Sequence, residues 1–206
     1  MNPLSTIKGT ISAGVVIAIV IAILVAVLAK TGIHFNTPSF IIWLHVLAGI
    51  TWIGLLYYFN FVQTPALAAA AADQGGPGGA GINKYVAPRA LLWFRWGAVF
   101  TWLTGAAYLL HINLFVDAFT LGLGPRGSLP ATYIGVGAWL GTIMLFNVWV
   151  LIWPNQKKVL GLVEATAEQI AKARRVAFLA SRANTMMSIP MLMSMVSFGH
   201  AGFFLN

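Results

Sequence analysis

Four histidines are the chain's candidates for metal or redox chemistry: His34, His45, His111 and His200. His45 and His200 each fall about five residues inside a long apolar stretch, so at 1.5 Å of rise per residue both lie roughly 8 Å deep. In the orientation argued below, that depth is measured from the same, outer surface. Two imidazoles at one depth on separate helices can face each other across a flat cofactor. Iron in haem b accepts two such nitrogens without a covalent thioether link. The competing reading is that each histidine only hydrogen-bonds a neighbouring helix. His111 closes its stretch at a membrane boundary and reads as interfacial, and His34 falls in a loop and reads as solvated.

On a helical wheel His45, Ala48, Gly49 and Trp52 share one face, continued by Phe59 and Gln63. Small Ala48 and Gly49 leave room for a planar ring, and Trp52 walls that room. His45, His200, Trp52, Ala48 and Gly49 are therefore the candidate cofactor-binding set, with His45 and His200 the candidate iron ligands. The same small residues also suit plain helix packing, as does the pair Gly137 and Gly141. Arg95, beside Trp93 and Trp96, reads as snorkelling to headgroups or pairing with an acidic group. Met186, Met187, Met191, Met193 and Met195 suggest copper, but methionine is also a common filler of helix packing.

Composition fixes the setting for this chemistry. The chain has 206 residues, 59% hydrophobic and 8% charged, where a soluble domain carries roughly 25% charged. Mean hydropathy is +0.85. A soluble globular enzyme is excluded, and the reading is an all-α integral membrane protein. With no Cys, disulfides, iron–sulfur clusters, Cys-bound zinc and covalent c-type haem are excluded. No paired intramembrane carboxylates occur, which argues against a proton pump or an ion-coupled transporter.

Five stretches are long enough to span: about 11–28, 40–62, 90–110, 132–153 and 186–204. The Gly75–Gly79 run and the loop from Asp117 to Pro130 separate them. Lys157 to Ser181 mixes charges with Val159, Leu162, Val163, Ile170 and Phe178, and predicts an amphipathic helix on the cytoplasmic surface. Residues 1–206 thus read as one membrane domain. Residues 1–30 form an anchor helix, and 40–206 form a four-helix bundle with the inner segment 157–181. With the N-terminus cytoplasmic, Lys8, Lys84, Arg89, Arg95, Lys157, Lys158, Lys172, Arg174, Arg175 and Arg182 lie inside, and only Lys30 and Arg126 outside. The expected location is a bacterial inner membrane with the C-terminus periplasmic. The net charge of +8 then records topology and implies no nucleic acid.

The stretch His45-Val46-Leu47-Ala48-Gly49-Ile50-Thr51-Trp52-Ile53-Gly54, continued to Phe61, resembles the second helix of the membrane-bound urate oxidase (urate hydroxylase) N-terminal domain family. Ser181 to Thr185, Ser188 to Met193 and on to His200 resemble its closing helix, and Trp153 to Lys158 its inner loop. The likeness touches most of the chain from residue 40 onward. It implies a His-bearing membrane scaffold with His45 and His200 at the positions to test. Larger members carry a c-type cytochrome domain that takes electrons; this chain has no Cys-x-x-Cys-His, so the expected partner is a separate c-type cytochrome.

Three functions follow as expectations. The first is a haem b-binding electron-transfer protein or subunit, partnered by the lipid bilayer and other membrane subunits of a respiratory or energy-converting complex. The second is a urate hydroxylase-like oxidoreductase using a separate cytochrome c, for which amides such as Asn60, Gln63 or Asn147 would have to reach the site. The third is a cofactor-free accessory subunit of a membrane complex.

Overall fold

The computed structural model describes residues 2–30, 32–124, 127–200 and 202. Pro125, Arg126 and positions 201, 203 and 204 of the fifth apolar stretch lie outside them. Two compact units divide the chain, residues 1–37 and 38–206.

The first unit is helix α1, Ile7–Leu28. Its start is fixed by Thr6, whose side chain accepts a hydrogen bond from the Gly9 N–H. Val, Ile, Leu and Ala fill it on all sides, as suits a helix in hydrocarbon.

The second unit is all-helical among the described residues: α2 Thr37–Tyr57, α3 Thr64–Ala72, α4 Ala87–His111, α5 Phe115–Phe119, α6 Leu129–Phe146, α7 Trp153–Val159 and α8 Ala167–His200. Short π-helical turns occupy Tyr58–Gln63, Ile82–Val86 and Asn147–Ile152. Each runs directly into a helix with proline in its first turn: Pro65, Pro88 and Pro154. Proline has no N–H and its ring presses on the carbonyl four residues back. A wider turn just before it relieves that clash and lets the helix continue. Hence α2 and α3 make one rod, Thr37–Ala72, and α6 and α7 another, Leu129–Val159.

Helix α8 is the spine of this unit. Ala173, Ala177, Ala180, Asn184, Ser188, Met191, Ser194 and Ser197 are all buried at three- and four-residue spacing. Their small or polar side chains let other helices approach and bond across. Asn184 Nδ2 donates to Met144 O (3.0 Å), and Asn147 Nδ2 donates to Asn184 Oδ1 (2.8 Å). Asn60 Nδ2 donates to Ser181 Oγ (2.8 Å), and Tyr57 O–H to Ser188 Oγ (2.9 Å). Around these bonds pack Trp52, Leu56, Phe94, Met144 and Val148.

Two sequence expectations change here. Among the described residues three helices, not five, have the length and apolar character to cross a membrane: Ile7–Leu28, Thr37–Ala72 and Leu129–Val159. Helix α4 is long enough but carries Arg89, Arg95 and three tryptophans, and α8 carries a charged first half and buried Ser and Asn. The second change is at 157–181, expected as a separate surface helix. The chain turns at Leu160 and Gly161, and α8 then runs unbroken for 34 residues. Thr166 and Gln169 form a capping box at its start: Gln169 Oε1 accepts from the Thr166 N–H, and Thr166 Oγ1 from the Gln169 N–H. No Gly or Pro follows until Pro190, so nothing divides the amphipathic half from the apolar half.

Candidate cofactor-binding site

Helices α2 and α4 touch closely where Gly97 meets Trp52: a Cβ on Gly97 would sit 3.3 Å from the Trp52 backbone nitrogen. Further along, toward His45, α2, α4, α6 and α8 surround a cavity of about 660 Å³. That volume lies in the range of small-molecule sites. Its walls are almost wholly apolar, with Ile53, Leu109, Ile134, Met191 and Met195 among them.

His45 supplies the cavity's imidazole. Its Nδ1 lies 2.9 Å from Thr101 O and 3.3 Å from Thr104 Oγ1. A carbonyl only accepts, so Nδ1 carries the proton and donates to it. The neutral ring then keeps an unprotonated Nε2, which has no hydrogen-bond partner among the described residues. This is the arrangement that prepares an imidazole to ligate a metal, since the bond on one nitrogen orients the other. Gly105 makes room for the ring, because a Cβ there would lie 2.9 Å from His45 Cε1. Thr101 is buried, and its own hydroxyl is engaged with Gly97 O (2.7 Å).

Trp52, 1% exposed, also lines the cavity, and its indole N–H has no acceptor. Gly49 lines it too, one turn along α2 from His45. The other two candidates lie off the wall. Ala48 is half-buried beside it on the helix. His200 is exposed near the end of α8, its Nδ1 donating to Val196 O at 3.0 Å. Val196 itself lines the cavity, one turn before His200. The structure thus brings together His45, Gly49 and Trp52. His111 is exposed at the end of α4, and His34 is exposed in the first unit.

Asn60 and Asn147 are committed to helix-to-helix bonds rather than to the cavity. Gln63 Oε1 is buried without a partner and is not on the cavity wall. Of the methionines weighed for copper, Met191 and Met195 line the cavity while Met186 and Met193 are exposed, so they do not converge. No cluster of three His, Cys, Asp or Glu occurs among the described residues. Sequence reading missed Thr101, Gly105 and Tyr57, which also line the cavity. The signal for the first two was the Thr101-x-x-Thr104-Gly105 run in α4, which offers an acceptor and a gap to an imidazole.

Among the described residues, then, the chain is all-helical, with three helices long and apolar enough to cross a membrane and an imidazole in an apolar cavity. The sequence model of one family, described as urate oxidase N-terminal, matches residues 33–125 and 116–205. These matches cover most of the chain, and the chain belongs to that family. Searches of curated proteins and of solved structures give no match.

Proposed function

We infer that this chain is a haem b-binding membrane electron-transfer protein, acting as a subunit of a larger respiratory or energy-converting complex. One observation carries the reading: His45 Nε2, unprotonated and unpartnered, in an apolar cavity of about 660 Å³. The cavity supplies one ligand of the pair: His45 Nε2 would hold the iron on one side. His200 lies off the cavity wall, one turn beyond Val196 of the lining, and would have to turn inward to serve as the second. Gly105 gives the imidazole its seat, and Gly49 lines the cavity one turn along α2. Bound there, haem supplies reversible one-electron chemistry. The protein's part is to fix the His45 tautomer through Thr101 O, exclude water with the apolar wall, and offer the Trp52 N–H as a donor.

In this reading all five apolar stretches span, α4 and the second half of α8 included. The N-terminus is cytoplasmic in a bacterial inner membrane, and a separate c-type cytochrome is the electron partner. Family membership alone favours a urate hydroxylase-like oxidoreductase. Urate is rich in N–H and C=O groups, however, and the apolar wall offers few partners for them.

The test is the absorption spectrum of the purified full chain, oxidised and then dithionite-reduced. A b-type band lost in His45→Ala and lost or shifted in His200→Ala supports the reading. A colourless wild-type protein from haem-replete cells overturns it and promotes the cofactor-free accessory subunit.

A further inference from the structure

Helix α4 borders a second groove, with no histidine in it, that nothing above uses. Helices α4 and α6–α7 run antiparallel along it. Trp102 Nε1 donates to Thr142 Oγ1 (2.9 Å) at one end, and Trp96 packs edge-on to Trp149 at 5.6 Å toward the other. Between these two pairs lies an apolar groove of about 400 Å³ floored by Val99, Leu145 and Phe146. The six residues from Trp96 to Trp102 give it a length of roughly 9 Å.

Just beyond the Trp96–Trp149 pair, two cations converge on one ring. The Arg95 guanidinium stacks 3.8 Å from the Trp153 centroid, and Lys157 Nζ is 5.9 Å from the same centroid. Lys158 follows in sequence. The chain has only four acids, Asp73, Asp117, Glu164 and Glu168, and among the described residues none pairs with Arg95 or Lys157. Like charges held near one indole without a carboxylate call for an anion from outside the chain.

The geometry points to an anionic phospholipid bound along α4 and α6–α7. Its headgroup phosphate is held by Arg95 and Lys157, and one acyl chain lies in the groove over Val99, Leu145 and Phe146. Trp96 and Trp149 sit between the two, at the level where indoles favour the headgroup boundary. Basic pockets between spanning helices are known binders of anionic headgroups. The apolar groove in line with the cations selects a lipid over a free phosphate, which would use the cations alone. The inference rests on α4 and α6 spanning a bilayer, and not on haem.

The test uses the full-length protein in phosphatidylcholine nanodiscs doped with phosphatidylglycerol, with bound lipid counted by native mass spectrometry. The expected result is one phosphatidylglycerol retained with a preference over phosphatidylcholine on the order of tens of fold. Arg95→Gln with Lys157→Gln should bring that preference close to one. Val99→Trp should abolish retention with both charges intact, and Lys172→Gln should change nothing. Glycerol 3-phosphate should fail to compete at millimolar concentration. Equal retention of the two lipids by the wild type, undiminished retention in both the charge and the groove variants, or full competition by glycerol 3-phosphate would overturn the assignment. Recovery of the wild type in buffer without detergent would sink the membrane reading itself, and this inference with it.

Discussion

Gly105 of α4 and His45 of α2 fit as a gap and the ring that fills it: a Cβ at position 105 would stand 2.9 Å from His45 Cε1 and 3.2 Å from Nδ1. Thr101, one turn earlier on α4, accepts from that same Nδ1. Gly105→Ala must therefore either push the imidazole off Thr101 O or spread the two helices. Overpacking of this kind costs about 1–3 kcal/mol. The expected outcome is a lower unfolding midpoint and a severalfold drop in haem per protein. Gly141→Ala is the control: it lines the same cavity, but its added methyl meets nothing within 4 Å. Equal behaviour of the two variants would count against the fit. The unfolding midpoint reports on the contact whether or not haem is bound.

The Asn147–Asn184 pair should behave as one unit. Asn184→Ala leaves Asn147 Nδ2 without its acceptor and strips Met144 O of its side-chain donor. Each single alanine variant should cost about 1–2 kcal/mol in a membrane setting. The double variant should cost clearly less than the two added together, because the second change removes a group already orphaned by the first. Unfolding in mixed micelles measures all four proteins, and strictly additive losses would show that the pair is not coupled.

The sequence made the helical class legible, and His45, Gly49 and Trp52 as one face of α2, because a 3.6-residue period is local. What it concealed was set by partners far along the chain. Gly105 and Thr101 acquire meaning only once α4 is laid against His45, 56 residues away for Thr101. Asn60 and Asn147 would have to reach the site to meet a ligand, and α8 claims both instead. The division of α8 into a surface helix and a span came from reading hydropathy. A buried face of Ala, Ser and Asn lowers hydropathy while still holding the helix in the bundle. The Thr166–Gln169 capping box was readable three residues apart and marks where α8 begins.

That cap gives a local prediction. Thr166→Ala removes the acceptor of the Gln169 N–H and should cost about 1 kcal/mol. The loss should fall on the first turn of α8. Amide exchange should rise at residues 167–170 and stay unchanged around Asn184. Protection equal to wild type at 167–170 would show that the box does not hold this helix end.

Orientation can be tested from both ends of one helix. Arg95 stacks on Trp153, so the basic residues of α4 and α7 gather at one end of the second unit. His111 closes the other end of α4, 16 residues or roughly 24 Å away. The positive-inside rule places the Arg95 end in the cytoplasm, because Lys and Arg are retained on the side where insertion begins. A fluorescent reporter inserted in the Gly75–Gly79 turn should then light up in the cytoplasm. Alkaline phosphatase fused after Asn206 should be active in the periplasm, since α8 runs from the basic end toward His200. Swapped activities would invert the topology. Cytoplasmic activity at both sites would mean that α8 does not cross, leaving His200 on the wrong side to share an iron with His45.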